Sequence, residues 1–89
     1  MDIAEELLSK IPSDIQRHEH FRAFTETVAL QQISDTSGIL HFLDREIADV
    51  SQWLKTCNST DVREVKQMTM HIGRLEKYKL WKNWCEAYL

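Results

Sequence analysis

Residues 40–57 read LHFLDREIADVSQWLKTC. Within this segment the apolar residues alternate at intervals of three and four positions, at Leu40, Leu43, Ile47, Val50, Leu54 and Cys57. These intervals are typical of an α-helix that buries one side, and they continue for about two and a half heptads. The pattern predicts a long helix at about 36–57 that needs an apolar partner along most of its length.

The partner helix is expected immediately downstream. Residues 58–61 read NSTD, a run that stops one helix and caps the next, and the acidic Glu64 favours the positive end of a new helix. A loop this short makes the two helices antiparallel. Residues 61–88 are therefore predicted as the second helix of a hairpin. The expected contacts pair Leu54 with Val65, Val50 with Met68, Ile47 with Ile72, and Leu43 with Leu75.

Two further helices are predicted before the hairpin. Asp2 can cap a first short helix. Ser13 with Gln16 forms a capping-box pattern for a second helix that continues towards Ile33. The polar run SDTSG at residues 34–38 separates these helices from the hairpin, because its side chains close turns and cap helices.

The composition of the chain is that of an ordinary soluble domain. Its 89 residues are 28% charged and 43% hydrophobic, and they include only two glycines and one proline. The N-terminal sequence lacks the basic start and apolar run of a signal peptide or membrane span, so a cytoplasmic location without a membrane partner is expected. Strand-like alternation is absent as well. The sequence predicts an all-α fold: a single helical domain, residues 1–89, with two N-terminal helices packed on an antiparallel helical hairpin.

No residue pattern supports catalysis, a cofactor or a metal site. If His18 and His20 are helical, they point about 200° apart and cannot share a metal ion from one face. The paired acids have no flanking cleft that would favour acid–base chemistry, and two glycines are too few for a phosphate loop. Cys57 and Cys85 are too few for a disulfide framework and are interpreted as small hydrophobic residues. The chain is therefore expected to be non-catalytic.

The C-terminal end of the last helix carries the strongest candidate contact site. Its apolar residues lie on nearly the opposite side from the hairpin contacts, and the helix extends about eight residues, or about 12 Å, beyond its partner. Either the N-terminal helices cover these aromatic side chains or another chain does. The second case predicts a protein-interaction or assembly module that self-associates as a homo-oligomer. The residues of this predicted aromatic site are Trp81, Trp84, Tyr88, Tyr78, Phe21 and Phe24.

Two alternative functions depend on charged residues. Residues 1–60 contain five Lys or Arg and ten Asp or Glu, whereas residues 61–89 contain six and four. Basic and aromatic residues interleave in the last helix, a pattern that predicts a small nucleic-acid-binding regulator. Its predicted contacts are Arg74, Lys77, Lys79 and Lys82. The acidic half instead predicts an inhibitor or adaptor for a basic host protein. That function would use Glu5, Glu6, Asp14 and Glu19.

Several segments of the predicted hairpin resemble a known group of proteins. They read LDREI at residues 43–47, QWL at 52–54, GRLE at 73–76 and LW at 80–81. Over about residues 36–84, the lengths and capped helices are similar to those of small helical-hairpin proteins encoded by tailed bacteriophages and related mobile elements. The resemblance implies a virion-assembly or host-interaction factor, rather than an enzyme, in the host cytoplasm.

Overall fold

Five α-helices account for 82% of the residues that the computed structural model describes, which are 2–57 and 61–89. They are α1 (Ile3–Lys10), α2 (Ser13–Gln16), α3 (Phe21–Leu30), α4 (Thr36–Thr56) and α5 (Val62–Tyr88). No strand occurs in this part of the chain, and α4 packs against α5. The predicted all-α helical hairpin is confirmed. The expected loop around Asn58 lies outside the described residues.

Aspartate side chains cap three of the helices. Asp2 accepts a hydrogen bond from the backbone N–H of Glu5 at 2.9 Å, as the sequence predicts. Asp61 accepts one from the N–H of Arg63 at 2.8 Å at the start of α5. Asp35 caps α4 in the same way. These bonds satisfy backbone donors that have no partner inside the helix, so each helix start is encoded locally.

The second predicted helix is wrong in extent, because the chain forms two helices there. Residues 17–20 turn between α2 and α3. The Ser13 side chain forms no cap at the start of α2. Gln16 instead donates from Nε2 to the carbonyl oxygens of Leu8 and Ile11, at 3.0 and 2.8 Å. Gln16 therefore ties α2 to the end of α1 through hydrogen bonds to residues eight and five positions earlier, which the capping-box pattern does not reveal.

The C-terminus of α3 is closed by a left-handed residue. Gln32 has a φ of 55°. The backbone N–H of Ile33 donates to the carbonyl of Val28 at 3.2 Å, which is the six-to-one bond of a Schellman motif. This turn redirects the chain from α3 into the residues that precede α4.

The contact face of α5 is rotated from the predicted one: of the four predicted contact residues, Met68 and Leu75 are half-buried, and Leu75 packs against the core. His71 packs its ring on Trp53 at 4.1 Å between centroids, and Tyr78 meets Phe42 at 6.5 Å. Because His71 and Tyr78 are seven residues apart, they lie on one side of α5. Val65 and Ile72 each remain 43% exposed. They lie at the edge of the α4 interface, whereas the sequence placed them at its centre.

A continuous interface explains this choice of face. The line through His71 and Tyr78 continues to Lys82, which forms an ion pair with Asp44 of α4 at 2.7 Å. The predicted line instead ends at Lys79, which is exposed. A helix that packs over a long distance must keep one side towards its neighbour. The observed face meets that requirement, although it includes polar residues.

The N-terminal helices cover the second half of α5. Phe24 is fully buried, with its ring centroid 5.4 Å from Trp81 and 5.9 Å from Trp84. Leu7 and Ile11 are also buried in this core. Intramolecular packing, the first of the two alternatives for the aromatic end, is therefore the observed arrangement.

We expect Gln32→Gly to raise the free energy of unfolding by about 1 kcal/mol, because glycine adopts a positive φ without the steric cost that other residues have. Urea denaturation with the native far-UV spectrum retained measures this change. Gln31→Gly is the matched control. Gln31 has a right-handed backbone, so its replacement should lower stability by up to about 1 kcal/mol. Stabilisation by the control, or destabilisation by Gln32→Gly, contradicts the prediction.

Candidate functional site

Five of the six residues in the predicted aromatic site belong to the core. Trp81 and Trp84 are 1% and 4% exposed, and only Tyr88 reaches the surface, at 38%. These residues are buried because the N-terminal helices α1 to α3, which we call the N-terminal layer, pack on them. The remaining buried members are Phe21, Phe24 and Tyr78. In this fold the predicted aromatic site is not available as a contact surface, and that part of the prediction needs correction.

Three of the four cations predicted to contact nucleic acid are engaged within the protein. Lys82 bonds Asp44, and that hydrogen bond, more than the nearby charges, raises the pKa of Lys82. Arg74 donates to the Tyr78 hydroxyl at 3.3 Å, which similarly raises the pKa of Arg74. Lys77 lies over the Trp81 ring at 5.2 Å. The predicted stripe is thus mostly committed to internal contacts.

The first half of α5 carries an exposed apolar surface, which we call the outer patch. It consists of Val62 at 72% exposure, Met70 at 67%, and Val65 and Ile72 at 43% each. In residues 2–57 and 61–89, seven large apolar side chains are exposed, and four of them belong to this patch. Scattered exposed apolar residues are ordinary, whereas a group on one short segment indicates a contact surface.

The outer patch is centred on the side of α5 that faces away from α4, with Val65 and Ile72 on its edge nearest the α4 interface. At about 100° per residue, its four side chains fall within an arc of about 160°. Thr69 and Gly73 lie inside that arc, and both are exposed. A Cβ atom built on Gly73 would meet nothing within 4 Å, so the surface is open at this point. The patch is therefore a shallow, accessible strip about three helical turns long.

One edge of the outer patch is basic. Arg63, Lys66 and Lys77 lie within about 60° of one another on the edge that includes Met70. Arg63 and Lys66 are exposed, and neither has a carboxylate partner in the described part of the chain. On the outward side of α5 between Val62 and Leu80, the acidic residue is Glu76. Two free cations thus adjoin the apolar strip.

A cleft of about 610 Å³ continues the outer patch towards the C-terminus of α5. It lies between the turn at residues 17–20 and α5. Met70 and Gly73 belong to both the cleft and the patch region. The cleft-lining residues are His18, Glu19, His20, Met70, Gly73, Arg74, Glu76, Lys77 and Leu80. The mixture of acids and cations in this lining favours no single charge of ligand.

The turn at residues 17–20 brings two histidines together. The ring centroids of His18 and His20 are 5.4 Å apart, and the backbone N–H of His20 donates to Nδ1 of His18 at 3.1 Å. The predicted separation of about 200° assumed a continuous helix and is wrong for that reason. Even so, residues 2–57 and 61–89 contain no group of three His, Cys, Asp or Glu that could hold a metal ion.

Both cysteines are free thiols, and they differ in environment. Cys85 is buried, and burial, followed by the charge of Glu86, raises the pKa of its thiol to about 11. Cys57 is half-buried, and its Sγ donates to the carbonyl of Leu54 at 3.2 Å. A high pKa keeps a thiol protonated and unreactive at neutral pH. Cys85 therefore has the properties of a packing residue.

Family models, curated proteins and solved structures give no match to the chain. Among the described residues, no helix combines the length and apolar character that crossing a membrane requires. The outer patch and its basic edge are thus identified from the geometry of this chain alone. Sequence reasoning missed them because it assigned Val65 and Ile72 to the hairpin interface.

At about pH 8, we expect a thiol-specific disulfide reagent to modify Cys57 at least about tenfold faster than Cys85 in the folded protein. The rate of absorbance change gives this ratio, and both thiols should react rapidly in guanidinium chloride. Cys57→Ser is the control variant, and it should lack the fast phase when folded. Rapid modification of folded Cys57→Ser would mean that Cys85 is accessible and contradict its buried placement.

Proposed function

We propose that this chain is a non-catalytic protein-interaction module that binds its partner through the outer patch of α5. The observation that carries this proposal is the grouping of Val62, Val65, Met70 and Ile72 on one exposed side of a helix. Water contact with these side chains is unfavourable. Moving such a side chain from full exposure to full burial gains roughly 1.5–3 kcal/mol, and the gain is smaller for Val65 and Ile72, which are 43% exposed.

The packing of α4 against the opposite side of α5 favours a binding role for the patch. Phe42 and Trp53 of α4 contact the opposite side of α5 through Tyr78 and His71. The patch therefore lies on a packed hairpin and not on an irregular loop. A preorganised surface loses less conformational entropy on binding than a mobile one. Its apolar centre and basic edge also match the core-and-rim arrangement of protein interfaces.

The other sequence-based hypotheses have weaker support. Nucleic-acid binding would require Arg74, Lys77 and Lys82 to leave their internal partners, in a chain whose net charge is −3. Self-association remains a prediction, but five of the six aromatic residues predicted as its contact are buried. The resemblance to phage helical-hairpin proteins adds virion assembly or host interaction as the setting for this proposal.

The double variant Val62→Asp/Met70→Asp is expected to lose at least about tenfold in partner binding, because a tenfold change needs only about 1.4 kcal/mol. Affinity capture from the native cell extract, with quantification of each bound protein, measures the loss. Light scattering of the purified variant and wild type across a concentration series tests a second copy as the partner. Thermal melting should stay near that of the wild type, since both side chains are largely exposed.

Leu30→Asp is the matched control for this experiment. Leu30 is 81% exposed at the end of α3, outside the patch, so the same change of chemistry should leave capture unaltered. If Val62→Asp/Met70→Asp retains every partner and oligomer that the wild type forms, the outer patch is not the contact surface and the proposal is wrong.

A further inference from the structure

We infer that the occupant of the outer patch is an amphipathic helix of another protein with acidic residues along one flank. This inference rests on the function proposed above and adds the chemistry of the partner. Three properties of α5 support it: the charge at the edge of the patch, the continuity of the patch with a face that already binds helices, and the shape of its centre.

The charge at the edge selects an acidic partner. Arg63 and Lys66 are exposed without carboxylate partners in the described part of the chain, and they adjoin the apolar strip at Met70. The whole chain carries a net charge of −3, so this edge is a local reversal of sign. Opposite charges at the rim of an interface increase the association rate and reject partners of the wrong sign.

The same charges disfavour a second copy of this chain. In an antiparallel two-fold contact between two outer patches, the basic edges of both copies, with Arg63 and Lys66, would lie on the same side of the interface. The acid on the outward side, Glu76, is a single residue against these cations. Like charges at an interface are destabilising. An acidic flank on a different chain relieves that repulsion.

Helices already occupy the continuation of this face. Trp81 and Trp84 lie on the side of α5 that carries Arg63, Lys66 and Met70, at about 100° per residue. In the second half of α5 that side is covered by α3, through Phe24. In the first half of α5, α3 does not cover this side of the helix. An incoming helix would therefore extend the N-terminal layer along α5, end to end with the turn at residues 17–20.

The centre of the patch can accept a helix at close range. Val62, Thr69 and Gly73 lie along its midline, within about 40° of one another. Gly73 has no side chain, and the space above it is open. Small residues let helix backbones approach closely and allow the flanking side chains to interdigitate. From Val62 to Gly73 the surface is about 16 Å long, which suits a partner helix of three to four turns.

Two synthetic helical peptides test the inference. They share the same length and the same apolar residues at helical spacing, and their flanking residues are Glu in one and Lys in the other. Calorimetric titration into the full-length protein should give at least about tenfold tighter binding for the Glu-flanked peptide. Undirected electrostatics would favour the Lys-flanked peptide, because the protein is negatively charged overall. A preference for Glu therefore has to come from the local basic edge.

Charge-reversal variants test whether the basic edge causes the preference for the Glu-flanked peptide. Arg63→Glu/Lys66→Glu should abolish that preference or invert it. Lys79→Glu is the matched control, because Lys79 is also an exposed cation of α5 but lies about 140° around the helix from Lys66. The control should retain the preference. Val62→Asp/Met70→Asp should weaken the binding of both peptides.

Several outcomes would overturn the inference. These are equal affinity for the two peptides, no binding of either, and a preference for Glu that survives Arg63→Glu/Lys66→Glu. Equal affinity that is lost in Val62→Asp/Met70→Asp would leave the patch as a protein contact and remove only the acidic partner. A dimer that light scattering detects in the wild type and not in Val62→Asp/Met70→Asp would identify a second copy as the occupant.

Discussion

The packing of Phe24 against Trp81 and Trp84 is the interaction on which the rest of the structure depends. It joins the N-terminal helices to the C-terminal end of α5 through the Phe24 ring, whose centroid lies 5.4 Å from that of Trp81 and 5.9 Å from that of Trp84. Truncation of such a buried ring typically costs about 3–5 kcal/mol, a large part of the stability of a small domain. The same packing determines which surface remains open, because the N-terminal layer reaches only the second half of α5.

Helix α5 is divided between two neighbours along its length. One side follows α4 through His71, Tyr78 and Lys82, and a second side, about 120° away, receives α3 at Trp81 and Trp84. In the first half of the helix the second side has no such cover. The outer patch therefore arises from the difference in length between the hairpin and the shorter layer packed on it.

Much of the fold can be predicted from local sequence. The helix starts at Asp2 and Asp61 are confirmed, as is the α4–α5 hairpin, because capping and apolar spacing are properties of neighbouring residues. The end of α2 at Gln16 cannot be predicted in this way. The Gln16 side chain bonds carbonyl groups at the end of α1, so the turn depends on how two helices meet.

Most of the predicted aromatic site is buried in the folded chain, although the helix that carries it was predicted well. The sequence by itself determined that the last helix is long, that it pairs with α4, and that it has more apolar surface than one neighbour can cover. Tertiary structure decided which residues remain exposed. Two lines on α5 competed for α4, one through Ile72 and one through His71, and only the second stays in contact as far as Lys82. Which side of α5 contacts α4 depends on the total packing along the whole interface between the two helices. The observed choice of side left Val62 and Met70 exposed on the open side and placed Trp81 and Trp84 in the core.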